Sequence, residues 1–207
     1  MVSEHPASST SLSGPRADVP AGRSPARERL LQTATRLFYG QGIQSVGVDR
    51  LVAESEVTKA TFYRHFSSKD DLVRAYIERL DQEIRAAADV LARQVGDPAD
   101  VLTALVAQIG HQVCTPGFRG CAFISAAVEF PDPEHPVRRA VAGHRRWFRD
   151  LLTRLLRDTG HPQPEAAAQT LVMVRDGAMM GGYLDDPAQL PAGLRAAIDT
   201  LLPTGSP

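Results

Sequence analysis

The chain contains little cysteine and almost no lysine. Only two cysteines occur among its 207 residues, Cys114 and Cys121, which are too few for a disulfide framework and lack the companions of a zinc site. No stretch approaches the ~20 consecutive apolar residues of a membrane span. The N-terminal residues also lack the basic and apolar regions of a secretory signal. These absences predict a cytoplasmic protein with no membrane partner.

Signatures of catalysis and of cofactor binding are missing as well. The sequence contains no GxSxG, no HExxH and no phosphate-cradling glycine loop. Histidines and acids do occur together in its second half, but their spacing matches no compact metal-ligand motif. They are His111, Glu129, Asp132, Glu134, His135 and His144. We therefore expect no enzyme, no metal site and no cofactor.

One short stretch reverses the charge of the chain around it. The formal net charge is -1, whereas residues 57–69, VTKATFYRHFSSK, contain no Asp or Glu and hold both of the chain's lysines. The hydroxyls, the aromatic ring and the cations of this stretch suit a phosphate backbone. Because a chain so close to neutral does not coat nucleic acid indiscriminately, any contact with nucleic acid is expected to be local to this stretch.

Apolar residues recur at helical spacing along most of the chain, and no convincing strand pattern is present. The fold is therefore predicted to be all-α. Residues 1–24, rich in Ser, Pro, Gly and Ala, are predicted to be a disordered tail. Three helices are predicted within residues 25–70, and residues 71–207 are predicted to form a second helical domain. A long fourth helix that starts after Ser68 would lead into that domain.

Two short helices, at residues 48–55 and 58–66, are predicted to form a helix-turn-helix. The hydroxyl of Thr58 suits the N-cap of the second helix. Phe62 and Phe66 are four residues apart and are expected to point inward, because side chains at this spacing share one helix face. The basic and hydroxyl side chains of this helix are then expected to face outward.

Residues 29–77 resemble the TetR family of bacterial transcriptional regulators, and the most specific part is TKATFYRHFSSKDDL at residues 58–72. The resemblance implies an N-terminal three-helix DNA-binding domain, whose last helix recognises DNA, and a C-terminal helical domain for ligand binding and dimerisation. It also implies base contacts by Lys59 and Ala60, phosphate contacts by Thr61, Tyr63, His65 and Lys69, and either kind of contact by Arg64.

Two residues of the helix-turn-helix depart from the family's pattern. Glu56 occupies a turn position where the family commonly has glycine, which tolerates a positive φ. Asp49 lies near the start of the second helix, where anionic DNA is expected. Asp49 either caps the helix locally or is held away from the phosphates, and the sequence leaves both alternatives open.

The second half of the chain supplies candidates for a ligand pocket, which plain core packing would explain equally well. They are Phe118, Phe123, Phe130, His144, Trp147 and Met173. Residues 164–184 are apolar over so much of a helix that a partner subunit is expected to cover part of it. Together with the resemblance, this implies a homodimer, a near-palindromic double-stranded DNA operator and a small-molecule effector of unknown identity.

The sequence thus predicts a DNA-binding transcriptional regulator, a repressor that a small molecule releases from its operator. An alternative is a thiol sensor of oxidants or electrophiles that uses Cys114, whose thiolate would need a cation such as Arg119 nearby. A helical enzyme and a helical interaction protein without DNA binding are remote alternatives.

Overall fold

The computed structural model describes residues 24–202, so the predicted disordered tail lies outside the described residues except for Ser24. The helices are α1 (Pro25–Gln41), α2 (Val48–Glu54), α3 (Lys59–His65), α4 (Lys69–Val95), α5 (Pro98–Val113), α6 (Ala122–Glu129), α7 (Pro136–Asp158), α8 (Pro164–Leu184) and α9 (Leu190–Leu201). A 3-10 helix, Pro187–Gln189, precedes α9. Within residues 24–202 all regular structure is helical, which confirms the all-α prediction.

Local sequence signals explain where several helices begin and end. The hydroxyl of Ser68 accepts a hydrogen bond from the backbone N–H of Asp71 at 3.1 Å and so caps α4, as predicted. Gly42 and Gly96 follow α1 and α4 with φ of 88° and 83°, a left-handed conformation that suits glycine. Asp97 caps α5 by accepting from the amides of the first turn.

The N-terminal helices share a core with the first turns of α4. Leu30, Leu51 and Phe62 have no exposed surface, and they belong to one buried cluster with Leu72 and Ile77 of α4. This cluster continues into α6 and the start of α7. The predicted domain boundary at residue 70 remains a prediction, but the N-terminal core extends past it along α4.

The C-terminal helices pack mainly as α5 against α9 and α7 against α8, with α4 against α7. Gly182 permits one close approach, because a Cβ added there would lie 2.7 Å from the Cβ of Val113. Ile198 and Leu156 have no exposed surface in the core that α5, α7, α8 and α9 enclose.

None of the helices between residues 24 and 202 combines the length and the apolar character needed to cross a membrane.

Candidate nucleic-acid interface and ligand cavity

The recognition helix α3 is held from both its start and its inner face. The hydroxyl of Thr58 accepts a hydrogen bond from the backbone N–H of Thr61 at 3.1 Å. Phe62 is fully buried and Phe66 is 4% exposed, so both rings anchor the helix to the N-terminal core as predicted. Because this anchored face points inward, the opposite face of α3 is available to a partner.

The residues predicted to contact DNA lie together on α3 and the first residue of α4. Exposed side chains are Lys59, Ala60, Tyr63 and Arg64, whereas Thr61, His65 and Lys69 are partly buried. The structure thus places all of these residues on one stretch of chain. Tyr63 is the exposed aromatic residue of this stretch, with 51% of its surface exposed. Their contacts with DNA stay a prediction.

Lys59 forms an ion pair with Asp49 across the helix-turn-helix. The Nζ of Lys59 lies 2.7 Å from the Oδ1 of Asp49, and both side chains are well exposed. The hydrogen bond to this carboxylate raises the pKa of Lys59. Asp49 therefore holds the lysine that is predicted to read base edges, an arrangement that the sequence did not predict.

His65 and Lys69 differ from the exposed cations because each is partly buried. The Nε2 of His65 lies 3.3 Å from the hydroxyl of Ser24, just before α1. Burial lowers the pKa of His65, and the guanidinium groups of Arg64 and Arg27 lower it further. Burial also lowers the pKa of Lys69. At neutral pH, His65 is therefore an uncharged polar group next to a surface of cations.

Glu56 adopts the backbone conformation that the family's pattern predicts for glycine. Its φ is 52°, and it is the one non-glycine residue with a positive φ among the described residues. Its backbone N–H still donates to the carbonyl of Ala53 at 3.3 Å, so the turn forms. The glutamate is tolerated at the cost of a left-handed conformation that L-residues disfavour.

A cavity of about 510 Å³ opens where the DNA-binding domain meets the C-terminal domain. Its wall contains parts of α1, α4, the end of α5, the α5–α6 loop, the start of α6, and α8. The lining residues are Thr35, Arg36, Tyr39, Gly40, Tyr76, Leu80, Ile84, Gln112, Thr115, Pro116, Gly117, Phe118, Arg119, Gly120, Cys121, Ala122, Phe123, Arg175 and Met179. Two of the predicted ligand-binding residues, Phe118 and Phe123, are therefore in this wall.

A smaller cavity of about 160 Å³ adjoins it and contains two further predicted residues, His144 and Trp147. The two cavities share the residues Ile84, Gln112, Arg175 and Met179. The remaining predicted ligand-binding residues lie elsewhere. Phe130 is buried against the ring of His135, at a centroid distance of 4.6 Å, and Met173 is 57% exposed on the surface of α8. Neither lines one of these two cavities.

His144 is buried, with 3% of its surface exposed. Its ring stacks on Phe123 at a centroid distance of 3.7 Å, and its Nδ1 lies 2.8 Å from Oδ1 of Asp81 on α4. Burial lowers the pKa of His144, although the hydrogen bond to Asp81 acts in the opposite direction. An uncharged ring that donates from Nδ1 to the carboxylate fits both effects.

Arg175, Tyr39 and Tyr76 line the larger cavity but were not predicted from the sequence. Arg175 had a visible signal, because it is a single cation within the long apolar run of residues 171–183. The tyrosines carried no such signal. The hydroxyl of Tyr39 accepts from the backbone N–H of Arg119 at 2.9 Å and donates to the carbonyl of Gly120 at 3.2 Å. This contact ties α1 to the cavity wall.

The two cysteines lie in different surroundings. Cys114 is exposed, and its Sγ lies 3.4 Å from the carbonyl oxygen of Pro187. The guanidinium of Arg119, which the thiol-sensor alternative placed beside Cys114, instead lies over the ring of Tyr183 at 5.8 Å. Cys121 is buried, and its Sγ accepts from Nη2 of Arg175 at 3.4 Å. Among the described residues, the thiol that contacts an arginine is therefore that of Cys121 and not that of Cys114.

A helix-turn-helix joined by one long helix to a second helical domain is the architecture of a DNA-binding regulator. Residues 30–76 match the family model described as bacterial regulatory proteins, tetR family, and residues 132–204 match the model described as tetracyclin repressor-like, C-terminal domain. The chain belongs to the TetR family and is a transcriptional regulator.

Individual relatives agree with the family assignment. The chain is 28% identical over 161 residues to the HTH-type transcriptional regulator LmrA of Bacillus subtilis, covering 77% of this chain and 85% of LmrA. It is 29% identical to the HTH-type transcriptional repressor NemR of Escherichia coli, covering 63% of this chain and 66% of NemR. Both relatives are named as regulators and neither as an enzyme.

Among solved structures, a TetR-family transcriptional regulator from Streptomyces coelicolor resembles the chain with a TM-score of 0.83 and 47% sequence identity. The match covers 88% of this chain and 96% of the Streptomyces coelicolor chain, so it includes both domains.

Proposed function

We propose that this protein is a homodimeric repressor, that α3 binds its operator, and that a small molecule in the larger cavity releases the DNA. One observation carries the proposal: the cavity wall includes Thr35 and Tyr39 of α1 as well as Arg175 and Met179 of α8. A ligand there would contact both domains at once. It can therefore favour one arrangement of the domains over another, as effector control requires.

The chemistry of α3 supports sequence-specific DNA binding. Lys59 can donate to guanine O6 or N7, and Ala60 can contact a thymine methyl group. The hydroxyl of Tyr63 and the guanidinium of Arg64 can hold phosphates and fix the position of the helix along the backbone. This division matches the exposed positions of these four side chains on α3.

A stripe of exposed residues on α8 supports dimerisation. Met173, Gly177, Met180 and Leu184 follow one another at spacings of four, three and four, so they share one helix face, and all four are exposed. Leu184 is 67% exposed. An exposed stripe of this kind marks an interaction surface, and a second copy of α8 would bury it.

Dimer symmetry then sets the form of the operator. Two recognition helices entering successive major grooves would be separated by roughly 34–36 Å, so the operator is a near-palindrome. Because effector and operator favour different arrangements of the dimer, each would lower the affinity of the other by the same factor.

The first experiment is a gel shift with the purified protein and the DNA that flanks its own gene, repeated with random DNA of equal length. Retention of the flanking DNA alone supports the proposal, whereas equal retention of both contradicts sequence-specific binding.

Met180→Glu tests the dimer by size-exclusion chromatography, with Met173→Gln as a milder change on the same face. A Met180→Glu protein that still elutes with the wild type, and binds the operator equally, would contradict dimerisation through α8.

A further inference from the structure

The larger cavity has a one-sided charge. Its described lining residues include Arg36, Arg119 and Arg175, and none of them is Asp, Glu or Lys. Arg36 and Arg119 lie at the exposed side of the cavity, since Arg36 is 61% exposed in its ion pair with Glu54 and Arg119 is also exposed. Cations at an entrance raise the local concentration of anions.

Arg175 is the cation in the interior of this wall. Its side chain is 11% exposed. Its Nη1 lies 3.0 Å from Oδ1 of Asp176, and its Nη2 donates to the Sγ of Cys121 at 3.4 Å. A guanidinium has five N–H donors, and thiol sulfur is a weak acceptor. Among the described residues, Arg175 therefore has one strong acceptor for five donors.

The acid beside Arg175 is shared with a second arginine. Arg145 places its Nη2 2.7 Å from the other oxygen of Asp176, and this hydrogen bond raises the pKa of Arg145. The next acid in this region, Asp81, is already bound to Arg85 at 2.8 Å and to the uncharged ring of His144. Among residues 24–202, three guanidinium groups thus face two carboxylates here, which leaves one positive charge without a counterion.

A buried charge of this kind is costly unless an opposite charge or strong hydrogen bonds compensate for it. Phe148 provides part of the compensation, since the guanidinium of Arg175 lies 5.6 Å from its ring centroid. An anion in the adjoining cavity would supply the rest, and the planar guanidinium suits a carboxylate in a bidentate geometry.

The rest of the wall suits an apolar body. Leu80, Ile84, Phe118 and Met179 contribute aliphatic and aromatic surface. Tyr76 is 2% exposed, and burial raises its pKa well above the usual range, so it stays a neutral phenol. A cavity with an apolar wall and a few converging polar groups is typical of small-molecule sites.

We propose that the effector of this regulator is an organic anion, an apolar or aromatic body with a carboxylate or similar group, and that Arg175 binds the anionic group. The assignment rests on the proposed function and names the ligand class for the same cavity.

Three probes that share a naphthyl body test the charge preference: naphthylacetate, its uncharged primary amide, and naphthylethylammonium. Titration calorimetry with the full-length protein should give a dissociation constant for the carboxylate that is at least roughly tenfold below that of the amide, because charge-assisted hydrogen bonds exceed neutral ones by this order. The ammonium probe should bind most weakly of the three. Equal affinities, a preference for the ammonium, or no binding of any probe would overturn the assignment.

Variants locate the preference at Arg175. Arg175→Gln should abolish the difference between carboxylate and amide, and Arg175→Lys, which keeps the charge without the planar fork, should retain part of it. Arg157→Gln is the matched control, because Arg157 pairs with Glu165 on the surface and does not line the cavity. A carboxylate preference that survives in folded Arg175→Gln contradicts the role of Arg175. If Arg175→Gln does not fold, two other results would contradict the role of Arg175. One is loss of the carboxylate preference in Arg157→Gln, and the other is its full retention in Arg175→Lys.

Adding operator DNA separates this assignment from the proposed function. If the amide or ammonium probe binds more tightly and releases DNA, effector control holds and the anion assignment fails. If the carboxylate binds as expected but leaves DNA affinity unchanged, the anion assignment holds and release by this cavity fails.

Discussion

The carboxylate of Glu129, at the end of α6, accepts a hydrogen bond from the backbone N–H of Ile43 at 3.0 Å. Its second oxygen accepts from the backbone N–H of Gln44 at 2.6 Å. One side chain of the C-terminal domain thus satisfies two amides of the turn between α1 and α2. In the sequence, Glu129 stands out only as one of several histidines and acids that lack metal-ligand spacing, whereas its hydrogen bonds to Ile43 and Gln44 show a structural role.

Replacing Glu129 by Ala should lower the free energy of unfolding by about 1–3 kcal/mol, the usual range for hydrogen bonds to a charged group. Urea unfolding followed by circular dichroism measures the change. Glu134→Ala is the control, because the side chain of Glu134 is exposed and forms a surface ion pair with Arg139 at 3.5 Å, so its loss should change stability by less than about 1 kcal/mol. Equal effects of the two substitutions would contradict a special role of the Glu129 contacts.

Lys59 and Lys69 should respond differently to substitution. Lys59→Ala should weaken binding to the operator by about ten- to hundredfold and relax discrimination at particular bases, since Lys59 is predicted to read base edges. Lys69→Ala should weaken binding to operator and random DNA alike and reduce the salt dependence, d log K/d log [salt], by roughly 0.9, one phosphate's share. Fluorescence anisotropy at several salt concentrations measures both. Identical salt slopes in Lys69→Ala and wild type would exclude the phosphate contact.

Asp49→Asn should tighten binding to all DNA in the same anisotropy measurement, because it removes the carboxylate that holds Lys59.

Glu56→Gly should stabilise the protein by about 0.5–1 kcal/mol, because glycine adopts a positive φ without the steric cost that glutamate has at φ 52°. Part of the gain is offset by the greater freedom of glycine in the unfolded chain. Ala53→Gly, on an exposed position of α2, is the opposite control and should destabilise by about 1 kcal/mol. A loss of stability in Glu56→Gly would mean that Glu56 makes a compensating contact.

The free energy of unfolding should decrease as the pH is lowered below about 6.5, because of His144. Burial lowers its pKa in the folded state, so at intermediate pH the unfolded chain binds more protons than the folded chain. The stabilisation is complete above the unfolded value of 6.5 and is lost as pH falls through the lowered folded pKa. His65, whose pKa is also lowered, adds a change of the same sign.

Urea unfolding between about pH 5 and 8 tests this dependence. His144→Gln should flatten the profile, since an amide can still donate to Asp81 but does not titrate. A His144→Gln profile as steep as that of the wild type would contradict the assignment.

The sequence predicted the helices well because their signals are local. Ser68, Thr58 and the prolines that open several helices act within one turn, and Phe62 and Phe66 share a face by spacing alone. The 3-10 helix at Pro187–Gln189 begins with the same local signals, a capping Asp186 and a proline, so the sequence does not distinguish it from the start of an α-helix.

The cavity was harder to predict because its wall comes from distant parts of the chain. Phe123 and His144 were found, yet Met173 points to the surface, since a helix that is apolar on most faces does not reveal which face is buried. Arg175 was overlooked although a cation within an apolar helix is a distinct signal. Its contact with Cys121, and the ion pair of its neighbour Asp176 with Arg145, become apparent only when α6, α7 and α8 are packed together.

In the proposed mechanism, the length of α4 would turn small shifts at the cavity into large ones at the DNA. Ile84 lines the cavity and Lys69 begins the helix, and at ~1.5 Å per residue they are roughly 22 Å apart. A tilt of about 5° about Ile84 would therefore move Lys69 by about 2 Å, and symmetry would double this to about 4 Å between the two halves of a dimer. The two recognition helices of a dimer must be roughly 34–36 Å apart to enter successive major grooves. A change of about 4 Å in that separation would move one of them out of register with its groove.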